Sequence, residues 1–229
     1  PTFGTMNINN VQVTFTNNGK IGFNDPFNIP PTQGVGYIYG GTNQLYEAGL
    51  LIGYSPTKLV DIVRDSLGGA DNDFVSSQIF NIQVPGIISA EDGNTSFTDN
   101  AAPLANKIGL QIDVYSYAFT TVPDSDYVLV RYDVKNTTAS PLSNVYAGLF
   151  FDWDMQPYYD TNRTAFDASR DLGYCWNNAV TVSNPIYTGV RALNGAAGYT
   201  GLINSASLPL GRSSKWLWLS GGIVPTSST

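Results

Sequence analysis

Residues 127–155 read YVLVRYDVKNTTASPLSNVYAGLFFDWDM, and the alternation within them decides the fold class. Val128, Val130, Tyr132 and Val134 fall on one face of an extended chain, and Leu129, Arg131, Asp133 and Lys135 on the other. Further on, Val145, Ala147, Leu149, Phe151 and Trp153 share one face, and Tyr146, Gly148, Phe150, Asp152 and Asp154 the other. A period of two marks β-strands, because successive side chains point to opposite sides of the sheet. The connecting NTTASPLSN is rich in Asn, Ser, Thr and Pro and reads as a loop. The stretch therefore predicts a hairpin with two long arms. The second arm is apolar on both faces until Asp-Trp-Asp, which predicts a central strand covered on both sides.

Outward from this stretch, short strands recur between turn signals. Met6–Phe23 reads as a hairpin around Asn17-Asn18-Gly19, which supplies positive-φ positions. Further strands are predicted at residues 35–39, 46–54, 58–64, 78–84 and 108–120. The last shows an apolar phase change from Ile108, Leu110, Ile112 and Val114 to Tyr115, Tyr117 and Phe119, the mark of a bulge. Residues 25–34 and 68–73 read as loops. Residues 90–107 read as a long polar segment with one helical turn in AAPLANK, and residues 156–170 as a polar loop. More strands are predicted at 172–176, 179–182, 186–193, 199–203 and 215–220. No long helix, heptad or repeat is present. The fold class is all-β, a large antiparallel β-sandwich with few or no helices. One domain spans 1–220, with a polar tail or linker over 221–229.

Composition narrows the function. Charged residues make up 13% of the 229, about half the roughly 25% of an ordinary soluble domain. Tyr, Thr, Asn and Gly are plentiful, a β- and turn-rich balance. The net charge is −7, which disfavours nucleic acid and anionic lipid and suits divalent cations. The chain has no His, so it holds no His-based triad and no His-ligated zinc. Its one cysteine, Cys175, has no partner for an intrachain disulfide and reads as a small buried hydrophobe or a reactive thiol. No apolar run is long enough for a membrane span, and Pro1-Thr2-Phe3 reads as the start of a mature or trimmed chain.

Two segments carry a resemblance. VLVRYDVKNTTASPLSNVYAGLFFDWDM (128–155) and LYEAGLLIGYSPTKLVDIVRDSLGGADNDF (45–74) resemble β-sandwich modules of large secreted bacterial proteins. Such modules stand beside subtilisin-like protease domains and ahead of C-terminal sorting domains. The resemblance implies an extracellular or cell-surface accessory module with a supersandwich-like architecture, ending here before such modules usually finish. It carries no catalytic residue, and the missing His departs from the protease itself.

The candidate chemistry lies after Phe151. Asp152 and Asp154 share a strand face with Cα atoms about 6–7 Å apart, and their carboxylates repel by roughly 3 kcal/mol at an effective dielectric near 20. Solvent, an Arg or a cation must offset that. Asp160, Asn162 and Asp167 follow in the next segment, so Asp152, Asp154, Asp160, Asn162 and Asp167 form a candidate Ca²⁺ ligand set. The alternative is a solvated strand end with Asx turns. Asp71-Asn72-Asp73, and Glu91-Asp92-Gly93-Asn94 with Asp99, pose the same choice. A glycosidase would need two of these carboxylates facing each other about 5–9.5 Å apart across a cleft, which neighbours on one strand do not provide. Trp153, Tyr158, Tyr159, Trp176, Trp216 and Trp218 would line a sugar platform or pack in the sheet. Asn94, Asn136 and Asn162 begin glycosylation sequons.

These readings favour a non-enzymatic extracellular structural or adhesive module, stabilised by Ca²⁺ and pairing with copies of itself by strand exchange, with Thr2–Asn10 as the donor. A carbohydrate-binding or carbohydrate-cleaving module is the alternative, and with it the question of enzymatic activity stays open.

Overall fold

A computed structural model describes residues 1–26, 31–193, 198–199 and 211–221. The described chain is all-β with antiparallel pairing and one α-helix. The first sheet holds eight strands: β1 (Phe3–Met6), β2 (Gln12–Thr16), β3 (Lys20–Ile21), β4 (Tyr37–Tyr39), β5 (Thr42–Asn43), β6 (Leu45–Ser55), β7 (Lys58–Asp61) and β12 (Tyr146–Trp153). The second runs β11–β10–β9–β8, from β8 (Val75–Gln83), β9 (Glu91–Thr98), β10 (Leu110–Ala118) and β11 (Val128–Asn136). A three-stranded sheet follows from β13 (Asn162–Asp167), β14 (Leu172–Asn177) and β15 (Tyr187–Arg191). Helix α1 spans Arg212–Leu219.

The first two sheets stack over a shared core. Leu50 and Ile52 of β6 meet Phe97 of β9 and Leu110, Ile112 and Val114 of β10. Met6, Val13, Phe15 and Ala48 meet Phe80 of β8 and Ala118 of β10. The rings of Phe15 and Phe80 stack at 6.0 Å across the two sheets. Gly93 of β9 faces this core because a Cβ there would lie 2.3 Å from Ser116 Oγ and 2.9 Å from the Phe80 ring. The Asn17-Asn18-Gly19 turn forms as expected, with Gly19 at φ +91° joining β2 to β3.

The 127–155 stretch holds two strands, but they are not a hairpin. β11 pairs with β10 in the second sheet, while β12 pairs with β6 in the first. The NTTASPLSN loop therefore crosses from one sheet to the other. β12 has no neighbour beyond β6 among the described residues, so it is an edge strand and its Tyr146, Ala147 and Leu149 are exposed. The strand covered on both faces is β6, buried along Ala48–Gly53.

Other expectations are corrected as well. β10 keeps unbroken register with β9 and β11, without a bulge. Ser116 and Ala118 continue its buried face, and Tyr115 and Tyr117 lie outside, where the Arg131 guanidinium sits 4.8 Å from the Tyr115 ring. The polar 90–107 segment contains β9, an inner strand, followed by a hydrogen-bonded turn in which the Lys107 amide donates to Pro103 O. The polar 156–170 segment contains β13. Residues 179–182 form a turn rather than a strand, and 215–219 belong to α1, with Ser220 at its C-cap. Residues 200–203 of the predicted 199–203 strand, and 222–229 of the tail, lie outside the described residues. Thr2–Asn10, the expected donor, is seated in its own sheet: β1 pairs with β2, and Met6 is fully buried.

Candidate functional site

The acidic end of β12 is built on its pairing with β6. Asp152 stands opposite Glu47, and a register shift follows before Trp153. Two carboxylates face one another on the side away from the core, and Arg64 joins them. Its Nε donates to Glu47 Oε2 at 2.6 Å and its Nη2 to Asp152. The Arg64 amide also donates to Glu47 Oε1 at 2.6 Å. The guanidinium lies 5.3 Å from the Tyr46 ring and 5.6 Å from the Phe150 ring, so the charge is sandwiched by aromatic faces. The cation this strand end calls for is supplied here by an arginine. Burial still raises the Glu47 pKa, against the pull of Arg64.

The five expected metal ligands part company. Asp152 is ion-paired with Arg64. Asp154 lies beside it, half-buried, and no hydrogen-bond donor reaches its carboxylate among the described residues. Burial, and then the Asp152 charge, push its pKa up to about 6. Asn162 joins this end by donating from Nδ2 to Trp153 O at 3.1 Å, and its Oδ1 is buried without a partner. Asp160 is exposed on the turn before β13. Asp167 caps a turn beyond β13, where Ser169 and Arg170 donate to it and hold its pKa down to about 2. Among the described residues no group of three or more His, Cys, Asp or Glu side chains is placed to hold a metal ion.

The other acidic loops are answered by the chain itself. Glu91 Oε2 accepts the amides of Asn7 and Ile8 at 2.8 and 3.0 Å. Asp92 accepts those of Ile87, Ile88 and Ser89. Asp99, fully buried, accepts those of Ile108, Gly109 and Leu110 at 2.7–2.8 Å. Asp71 and Asp73 meet α1. Arg212 donates to Asp73 Oδ1 at 2.9 Å, to Asp73 Oδ2 at 2.5 Å and to Asp71 Oδ1 at 2.8 Å. Lys215 donates to Asp71 Oδ2 at 2.8 Å and Asp61 Oδ1 at 2.7 Å. Lys215 and Asp61 are almost wholly buried. Burial pushes the Asp61 pKa up, against the pull of Lys215, and its Oδ2 has no partner.

Sequence reasoning missed these partners. Their one local signal is the Arg212-Ser-Ser-Lys215 spacing, which sets two cations on one helical face. An eight-residue helix is marginal alone, and its form is set by carboxylates that lie far upstream in sequence. Trp216 packs edge-on against Tyr146 at 5.6 Å, so the KWLWL tryptophan pair is not laid out along a strand.

The remaining aromatics divide. Trp153 is half-buried against Phe151 and Tyr37, whereas Tyr158 and Tyr159 are 48% and 68% exposed. Trp176 joins Tyr174 and Tyr187 on the three-stranded sheet. Cys175 on the opposite face is buried, its pKa pushed up to about 12 by that burial, and it fits the small-hydrophobe reading. No helix among the described residues is long and apolar enough to cross a membrane.

Comparison with protein-family models, curated proteins and solved structures returns no match. The functional reading therefore rests on the geometry.

Proposed function

We propose that the protein is a non-enzymatic structural module of the extracellular or cell-surface kind that assembles with a second copy of itself through β12. One observation carries this reading: among the described residues nothing pairs with the outer edge of β12, and from Tyr146 to Phe151 that edge lacks the usual defences. No charged residue stands between Lys135 and Asp152, β12 keeps unbroken register with β6 from Tyr146 to Asp152, and Leu149 and Val145 are 38% and 42% exposed. Natural sheets blunt such edges with charge, proline or bulges, because unpaired amides and carbonyls template another strand. The edge is also self-complementary. Antiparallel pairing of two β12 strands about Gly148 sets Tyr146 against Phe150 and Ala147 against Leu149, and puts the two Asp152 carboxylates at opposite ends. Aromatic and aliphatic cross-strand pairs stabilise such a contact, and a two-fold arrangement closes it. Donation of Thr2–Asn10 would instead pull Met6 out of the core. The extracellular setting rests on the composition and on the resemblance of residues 45–74 and 128–155.

Light scattering on the eluting protein tests this. The wild-type chain elutes as a dimer at high concentration, and Leu149→Lys, which adds an exposed charge to the edge, elutes as a folded monomer. A wild-type monomer at every concentration, or an undiminished dimer in the variant, contradicts the reading.

Calcium belongs to this reading at one place, the end of β12. The Asp154 carboxylate has no donor among the described residues, and Asn162, which hydrogen-bonds to the neighbouring Trp153 O, holds a buried, unpartnered Oδ1; oxygens of these two kinds are what a hard cation takes. A site with a dissociation constant about a hundredfold below the Ca²⁺ supplied adds about 2.7 kcal/mol, a rise of roughly 5–11 °C for a chain of this size. Thermal melts in EGTA and in Ca²⁺ read it directly. The rise is expected in the wild type and lost in Asp154→Asn; equal melts remove calcium from the account.

A further inference from the structure

The outer face of the three-stranded sheet carries three rows of side chains in register: Arg163–Trp176–Tyr187, Ala165–Tyr174–Gly189 and Asp167–Leu172–Arg191. The Tyr174, Trp176 and Tyr187 rings form one patch, with centroids 5.5–6.1 Å apart. Beside it lies a shallow, open depression of about 360 Å³ lined by Asp167, Arg170, Leu172, Tyr174, Tyr187 and Gly189. Gly189 keeps the floor next to Tyr174 bare, since a Cβ there would lie 2.6 Å from Gly173 O.

The charge of this face runs against that of the chain. Arg163, Arg170 and Arg191 share this sheet and its adjoining turn with one carboxylate, Asp167, and the described residues of the face sum to a net positive charge even with Asp171 of the turn counted, on a chain of net charge −7. Arg170 is engaged by Asp167. Arg163 and Arg191 make no ion pair among the described residues, whereas Arg64, Arg131 and Arg212 all do. A guanidinium grips a carboxylate through two parallel hydrogen bonds, and an aromatic patch stacks against the apolar face of a sugar ring.

We propose that this face binds an acidic polysaccharide of the uronate type, with sugar rings on Tyr174, Trp176 and Tyr187 and uronate carboxylates on Arg163 and Arg191. Single-stranded nucleic acid combines stacking with cationic contacts as well, and is the competing occupant that the test separates. The site is independent of the β12 edge.

Affinity electrophoresis and tryptophan fluorescence titration of the intact chain test the proposal, with polygalacturonate, neutral dextran and oligo-dT as probes. The Leu149→Lys chain serves as a second background, to separate this face from assembly. Polygalacturonate is expected to retard the protein and shift its fluorescence in both backgrounds. Arg163→Ala/Arg191→Ala and Tyr187→Ala each weaken that binding about tenfold or more, and about 0.5 M NaCl weakens it further. Tyr187 is 56% exposed, so that variant keeps the fold, as circular dichroism will check. No response to polygalacturonate, an equal response in the double-arginine variant, or tighter retention by oligo-dT overturns the proposal.

Discussion

Two ionic clusters sit on the outer side of the eight-stranded sheet and solve the same problem differently. Around α1, Arg212 and Lys215 answer three carboxylates, and both partners of the Lys215–Asp61 pair are almost wholly buried. At the end of β12, Arg64 alone answers Glu47 and Asp152, with Asp154 left over. The first cluster fastens an element of structure, because the helix has little stability of its own. The second leaves excess negative charge at the end of an open strand, where a proton or a cation still has work to do. A buried, nearly balanced cluster acts as a tether, and a partly exposed, unbalanced one as a place that responds to solution conditions.

The largest effect is expected from Lys215→Met. It leaves Asp61 buried without its ammonium, while the partly exposed Asp71 keeps Arg212, and the orphaned Asp61 costs about 3–5 kcal/mol. Urea unfolding will show this as an early transition, and adding Asp61→Asn recovers much of the loss because the orphaned charge is removed with it. A cost below about 1 kcal/mol would mean that α1 is not anchored there.

Arg64→Met comes next, at about 2–3 kcal/mol. Glu47 is 2% exposed but Asp152 is one-fifth exposed and keeps some solvent. The orphaned Glu47, whose pKa burial raises, takes up a proton as the pH falls, so the loss shrinks on acidification. A loss independent of pH would separate Arg64 from Glu47.

The smallest effect belongs to Asp154. Its pKa is raised from the usual 3.8 to about 6 in the folded protein. The folded state therefore binds the proton more tightly than the unfolded chain, and stability falls as the pH rises from about 4 to about 6. Asp154→Asn removes that slope. The variant is more stable than wild type above the window by about 1 kcal/mol, after allowance for the solvent that screens a half-exposed group. Parallel pH profiles of wild type and variant in EGTA would contradict this.

Most of the long strands were legible in the sequence, and their partners across long connections were not. Alternation located β6, β10, β11 and β12, because facing the core on one side is a local property. The hairpin expectation failed because nothing local says that Tyr146 meets Gly53, whereas an Asn/Ser/Thr/Pro loop is the same loop whether it turns back or crosses between sheets. The inner strand β9 was hidden by EDGNTSFT, whose Gly93 and Asn94 disfavour strands in isolation; Gly93 is there because Phe80 and Ser116 fill the space. At the candidate site, the pairing of acidic residues was legible and its answer was not. Asp152 and Asp154 called for a cation, and Arg64, Arg212 and Lys215 come from turns and a helix that no pattern near those carboxylates announces.

Hydrogen exchange across β12 tests the central claim most directly. In an antiparallel edge strand, alternate amides bond the inner neighbour and the rest point outward. If β12 pairs with a second copy, every amide from Tyr146 to Asp152 is protected at high protein concentration, and the outward-pointing set alone becomes fast on dilution or in Leu149→Lys. If that set exchanges freely at all concentrations, β12 is an exposed edge and not an interface.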